Sequence, residues 1–146
     1  MLFTEARGRA VMDLTTAETL GTVAACTVAP SPARVAGLRL KTRGRGHYTL
    51  PWDDVGSFGQ DEIAVEGAGR ILDEKDIEPD SPSHAVHDPI GKPVLTEAGL
   101  RKGTVIDVDF DEESGRITRL LTADEQFSGD ELLGVGSYAV VVAVPQ

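Results

Sequence analysis

The sequence predicts an all-β chain: two small β-barrels from an internal duplication, joined by an acidic Pro/Ser-containing linker. Three observations carry that reading. Short runs of alternating apolar and polar residues, punctuated by Gly and Pro turns, recur along the chain without a helical period. The aromatic fraction is only 5%, while Ala, Val and Gly are plentiful, a balance that suits thin β structures. Landmarks of the first half also return in order in the second: Gly8 at Gly91, Gly21-Thr-Val23 at Gly103-Thr-Val105, Val35 at Ile117, and Val55-Gly-Ser-Phe58 at Val135-Gly-Ser-Tyr138. Their offsets of 83, 82, 82 and 80 drift by only three residues.

The boundaries that follow are 1–68 for the first unit, 69–89 for the linker and 90–146 for the second unit. In the first unit a strand is expected around Arg9–Met12, a turn at Thr15–Thr19 and a longer strand over Gly21–Ala29. Pro30-Ser-Pro-Ala33 makes the next turn, because two prolines remove backbone donors that a paired strand needs. Val35–Lys41 is a third strand, Thr42–Gly46 a basic loop, and His47–Leu50 a fourth strand ending at Pro51. One or two short strands between Val55 and Val65 close the unit. Residues 66–89 are acidic and contain Pro and Ser, as an exposed linker does, although Ile71, Leu72 and Ile77 offer apolar side chains for docking.

The clearest single stretch of the second unit is the hairpin Gly103–Leu121. Strict alternation from Ile106 to Asp111 puts Ile106, Val108 and Phe110 on the inner face, and Asp107, Asp109 and Asp111 on the wet one. Aligning the halves carries Ala24, Cys26 and Val28 inward, and Ala25, Thr27 and Ala29 outward. An uncharged outer face of that kind is a place for the other barrel or a second chain to pack.

Gly91-Lys-Pro-Val94, Gly103 to Asp111, Ser114 to Leu121 and Leu133-Gly-Val-Gly-Ser137 together resemble the PRC-barrel domain family, and Gly8-Arg-Ala-Val11, Val35-Ala-Gly-Leu38 and Leu50 to Val55 are the weaker counterparts. The likeness covers nearly the whole chain apart from the linker. The first half departs most, with Pro30-Ser-Pro32 where the family tends to an acidic-Gly turn. The resemblance implies a small β-barrel in each half and supplies no catalytic residues.

Charge bounds the partners. Residues 1–70 carry eight basic and eight acidic groups, residues 71–146 six basic and sixteen acidic, so the whole net charge of −10 lies in the second half. Such a surface repels a phosphate backbone, and direct nucleic-acid binding is disfavoured. Cys26, the single cysteine, allows no intramolecular disulfide, and it is read as a buried small hydrophobe. Met1 to Arg7 lacks the basic-then-apolar pattern of a secretory signal, and no apolar run is long enough to span a bilayer. A cytoplasmic protein without a membrane span is expected.

The candidate chemistry is thin. Asp107, Asp109, Asp111, Glu112 and Glu113 suggest calcium, but an EF-hand loop needs Gly where Glu112 stands and a bidentate Glu where Thr118 stands. His84, His87 and Asp88 lack a third firm ligand and sit in the linker, where exposed polarity is the simpler reading. His47 has no adjacent nucleophile. Lys41 to His47, with Arg43 and Arg45, is the one basic concentration, read as a solvated hairpin loop able to meet an acidic partner. Trp52 is read as an end plug of the first barrel. Gly134-Val-Gly136 is too short for a nucleotide loop.

No catalytic, cofactor-binding or metal-ligating residue is therefore predicted, and no cofactor. The expected function is a non-enzymatic protein-interaction or assembly module that forms a homodimer or binds a protein partner. The alternative is a ribosome- or RNA-processing-associated factor, by similarity to a ribosome maturation factor that carries such a barrel.

Overall fold

A computed structural model describes residues 1–44 and 46–143; Arg45 of the basic loop and residues 144–146 lie outside the described residues. The chain opens with a short helix, α1 (Phe3–Ala6), which the sequence pattern does not predict. β1 (Ala10–Asp13), β2 (Thr19–Ala29), β3 (Arg34–Lys41) and β4 (Tyr48–Pro51) follow. A single 3-10 turn at Trp52–Asp54 then leads into β5 (Ser57–Phe58) and β6 (Glu62–Val65). These strands and β7 (Leu72–Asp73) make one seven-stranded sheet in the order β5-β6-β1-β2-β3-β4-β7.

The second half contains β8 (Pro93–Thr96), β9 (Arg101–Thr104), β10 (Asp107–Phe110), β11 (Ile117–Leu121) and β12 (Gln126–Ser128). A 3-10 turn at Gly129–Glu131 precedes β13 (Leu132–Val135) and β14 (Val140–Val142). The all-β expectation is met. Among the described residues, however, neither half closes into a hydrogen-bonded barrel. The first is an open sheet, and the second divides into β10-β11-β12 and β13-β14-β8-β9.

The division has a local cause. In the first half Ala24 drops out of the pairing with β3, as a bulge between Val23 and Ala25. At the same place in the second half Val105 and Ile106 leave the strand, separating β9 from β10. An extra residue of this kind reverses the in/out phase. Ala24 and Ile106, both expected inside, are accordingly exposed, Ile106 by 52%.

Strand order and pairing otherwise repeat. β6 runs parallel to β1 with Ile63 opposite Val11, and β14 runs parallel to β8 with Val140 opposite Val94. Cys26 faces Leu38 across β2 and β3 as Val108 faces Leu120 across β10 and β11. Phe58 pairs with Ile63 and Val135 with Val140. That last match corrects the alignment of the short Val-Gly-Ser blocks: Phe58 corresponds to Val135 rather than Tyr138. The hairpin between β11 and β12 is shorter than the one between β3 and β4, so the offset changes after it.

One hydrophobic core runs through both halves, from Phe3, Val23, Cys26 and Leu38 to Val108, Phe110, Leu120 and Val142. Residues 66–89 are not a free linker. β7 extends the sheet beside β4, Ile77 is buried, and Glu74 forms an ion pair with Arg39. No helix is long and apolar enough to cross a membrane among the described residues.

Candidate functional site

The two halves meet along a seam with reciprocal bonding. Arg34 and Arg116 form an antiparallel bridge at its centre. Val35 N–H donates to the Gly115 carbonyl at 2.7 Å, and Ile117 N–H donates to the Ala33 carbonyl at 2.9 Å. Since Ala33, Arg34 and Val35 correspond to Gly115, Arg116 and Ile117, each bond is the image of the other under a local two-fold. Such self-complementary contacts characterise isologous dimers.

The lead-in segments cross the seam in the same reciprocal way. α1 precedes β1 but packs on β10, while the 3-10 turn Ala85–His87 precedes β8 but packs on β2. Each crossing segment then enters its own half through a glycine at φ +89°, Gly8 or Gly91, a backbone region that suits a residue without Cβ. Gly8 N–H donates to Val23 O at 2.7 Å, and Gly91 N–H to Val105 O at 2.8 Å. Val23 and Val105 return bonds to Arg9 O and Lys92 O at 2.9 and 3.0 Å.

This exchange explains the fate of the aspartates. Asp107, expected on the wet face, is 7% exposed because α1 covers it. Its carboxylate accepts from Thr4 N–H at 3.1 Å, from Thr4 Oγ1 at 2.5 Å and from Val108 N–H at 2.8 Å. Asp109 is held by Arg119 at 2.5 Å and by the Met1 ammonium at 3.1 Å. The Arg119 hydrogen bond, helped by the N-terminal ammonium, keeps the Asp109 carboxyl below its ordinary range. Asp111 accepts from Glu113 N–H at 2.8 Å. The three aspartates are thus held by different donors. Among the described residues, no group of three or more His, Cys, Asp or Glu side chains is placed to hold a metal ion.

Thr27 and Ala29, expected on an open outer face, are buried at 0% and 5%. The crossing turn Ala85–His87 lies against their strand, so the second half's own lead-in occupies that side. Trp52 also differs from expectation. Rather than plugging the first half alone, it is half-buried at the seam, stacked on Phe58 at 5.8 Å and edge-on to Phe110 of the second half at 6.1 Å. Phe58 meets Phe110 at 5.7 Å, completing the aromatic triad. The indole lies over Gly115, where an added Cβ would stand 2.6 Å from Trp52 Cε2.

Residues 82–144 match the family model of the PRC-barrel domain. This chain contains a PRC-barrel domain. No curated protein matches the chain. The match begins inside residues 69–89, so it takes in the crossing turn Ala85–His87 as well as β8 to β14.

Within the PRC-barrel domain, the histidine group expected to be exposed is half-buried and bound to backbone. His84 Nδ1 accepts from Val86 N–H at 3.1 Å. The His87 ring nitrogens face the carbonyls of Val135 at 2.8 Å and Pro79 at 3.0 Å. Burial pushes the Asp88 carboxyl up, against the opposing pull of Ile90 N–H and Lys92. Burial likewise lowers the Lys92 ammonium, which donates to the carbonyls of Val86 and Gly136. These groups anchor the crossing turn and leave no open coordination set.

Cys26 lies at 0% exposure, and burial first, then Asp88, raises its thiol well above the ordinary value. A thiol so placed is a poor nucleophile. Lys41, Arg43 and His47 are exposed. His47 and His84, far apart in sequence, line one groove of about 440 Å³ with Asp73, Glu74 and Lys75. Glu74 N–H binds His47 O at 2.9 Å, which is how the docked segment closes over the β4 edge. Sequence reasoning missed α1, and the only signal for it was the apolar pair Phe3 and Ala6 ahead of Gly8.

Proposed function

We propose that the chain is a non-enzymatic interaction module in which two PRC-barrel-like halves, products of an internal duplication, are joined as an intramolecular pseudo-dimer that binds a protein partner. The reciprocal pair of seam bonds, Val35 to Gly115 and Ile117 to Ala33, is the observation that carries this reading. In an ordinary two-fold dimer such a patch is supplied by two chains. Here both copies of the patch are consumed within one chain, and the faces outside the seam are left for a different partner. Units 1–68 and 90–146, with 69–89 between them, are the proposed domains.

The non-enzymatic reading is supported by the candidate chemical groups. The Cys26 thiol is buried, the imidazoles of His84 and His87 are bound to backbone, and Asp107 and Asp109 are held by neighbouring donors. Light scattering on the purified chain, combined with affinity purification from the native cell, tests the proposal. The expected result is a monomer that retains a protein partner in stoichiometric amount. A strict monomer that retains no protein counts against it.

A further inference from the structure

The seam also carries a cavity of about 320 Å³ that the two-fold contacts do not use. Trp52 and Phe58 form its wall, and Glu112 and Glu113, on the exposed turn after β10, line it from the second half. The aromatic pair is braced by Phe110, so it offers a fixed surface. Two cations lie close. The Met1 ammonium stands 3.1 Å from Asp109 and 3.8 Å from Glu112. Arg9 lies over the Phe58 ring at 5.3 Å and donates to Gly59 O at 2.9 Å. Glu113 has no ion pair among the described residues.

The fold does not require this lining. By strand pairing, Trp52, Phe58, Glu112 and Glu113 correspond to Gly129, Val135, Pro30 and Ser31. The corresponding positions there carry no aromatic ring and no charge, although the Pro30–Ala33 turn follows a different backbone course, with Ser31 at φ +55°. The aromatic and acidic groups are thus an addition at one end of the seam only.

Electron-rich ring faces beside carboxylates select a cation. Among side chains, a guanidinium suits the site best, since its fork meets a carboxylate while its flat, weakly hydrated plane packs against the aromatic wall. We propose that this cavity seats an arginine side chain presented by a basic segment of a partner protein. The proposal rests on the interaction-module reading and names where the partner docks.

Trp52 is the only tryptophan, so its emission reports on the cavity directly. The full chain is titrated with a five-residue peptide, one arginine flanked by two glycines on each side and blocked at both ends. A saturable change in emission is expected, at least tenfold weaker when glutamine replaces the arginine and at least tenfold weaker in the E112Q/E113Q chain. Binding also weakens as salt rises. The D124N/E125Q chain, which loses the same charge from another exposed turn, binds as the parent does, and thermal melts verify that both variants fold. Equal responses to the two peptides, or unchanged binding in E112Q/E113Q, overturn the proposal. An emission change on concentrating the chain alone, abolished by Arg43→Ala, assigns the cavity to a second copy's basic loop and overturns the partner assignment. A native partner retained equally by the parent and E112Q/E113Q chains sinks the cavity proposal while leaving the module reading intact.

Discussion

Thr4→Val probes the exchanged lead-in at its most polar contact. The substitution preserves side-chain volume and the backbone bond from Thr4 N–H to Asp107, but removes the Oγ1 donor from a carboxylate that is 7% exposed. A hydrogen bond to a charged group contributes about 1.5–3 kcal/mol. Thr4 itself is exposed, so water reaches the contact, and a loss of about 1–2 kcal/mol is the discounted expectation. For a chain of this size that corresponds to a melting-temperature drop of roughly 3–6 °C. Urea denaturation of the parent, Thr4→Val, Asp107→Asn and the double variant isolates the pairwise contribution. Because Thr4 belongs to the first half and Asp107 to the second, the account expects a coupling of about 1 kcal/mol with an unchanged denaturant slope. A coupling near zero would refute the reasoning that α1 is held across the seam by this carboxylate.

Gly115→Ala places a Cβ 2.6 Å from the Trp52 ring at a residue with φ +79°, and should cost about 1–3 kcal/mol in denaturation while shifting Trp52 emission. Asp109 has a lowered folded-state pKa, so its stabilising contribution is present above the unfolded carboxylate pKa and lost as pH falls through the folded value. Arg119→Gln should flatten that acid-side loss in pH-dependent melts, and should cost less than about 1 kcal/mol at neutral pH because Arg119 is exposed. Cys26 should react with a thiol reagent only as fast as the chain opens, with a large rate increase in denaturant; rapid modification of the native chain contradicts its placement in the core.

Much of the fold was legible because alternation and turn chemistry are local. Val108, Phe110, Cys26 and Val28 lie inside as the pattern requires, and β1 to β4 fall close to their expected places. The misreadings have two physical origins, contacts distant in sequence and local shifts of register. Asp107 looked wet because nothing in its own strand reveals that α1, a hundred residues earlier, covers it. Ala24 and Ile106 looked buried because a bulge changes the phase without a compositional mark. The Val-Gly-Ser blocks misled because a shorter hairpin shifted the register before them, while the strand pairing of Phe58 and Val135 preserved it in space. Trp52 was expected to plug the first half alone, but the surface it covers belongs jointly to Phe58, Phe110 and Gly115. Residues 66–89 carried the docking side chain Ile77 in plain view, yet their polar composition pointed to solvent.

Native-state hydrogen exchange at two amides tests the pseudo-dimer most directly. Val35 and Ile117 are the reciprocal donors across the seam, and each belongs to a different half. If the halves form one interlocked body, both amides exchange only by global opening, with the same free energy as the core amides of Leu38 and Val108. Exchange of Val35 and Ile117 at clearly lower free energies than those core amides would mean that the halves part while each stays folded, and would contradict the account.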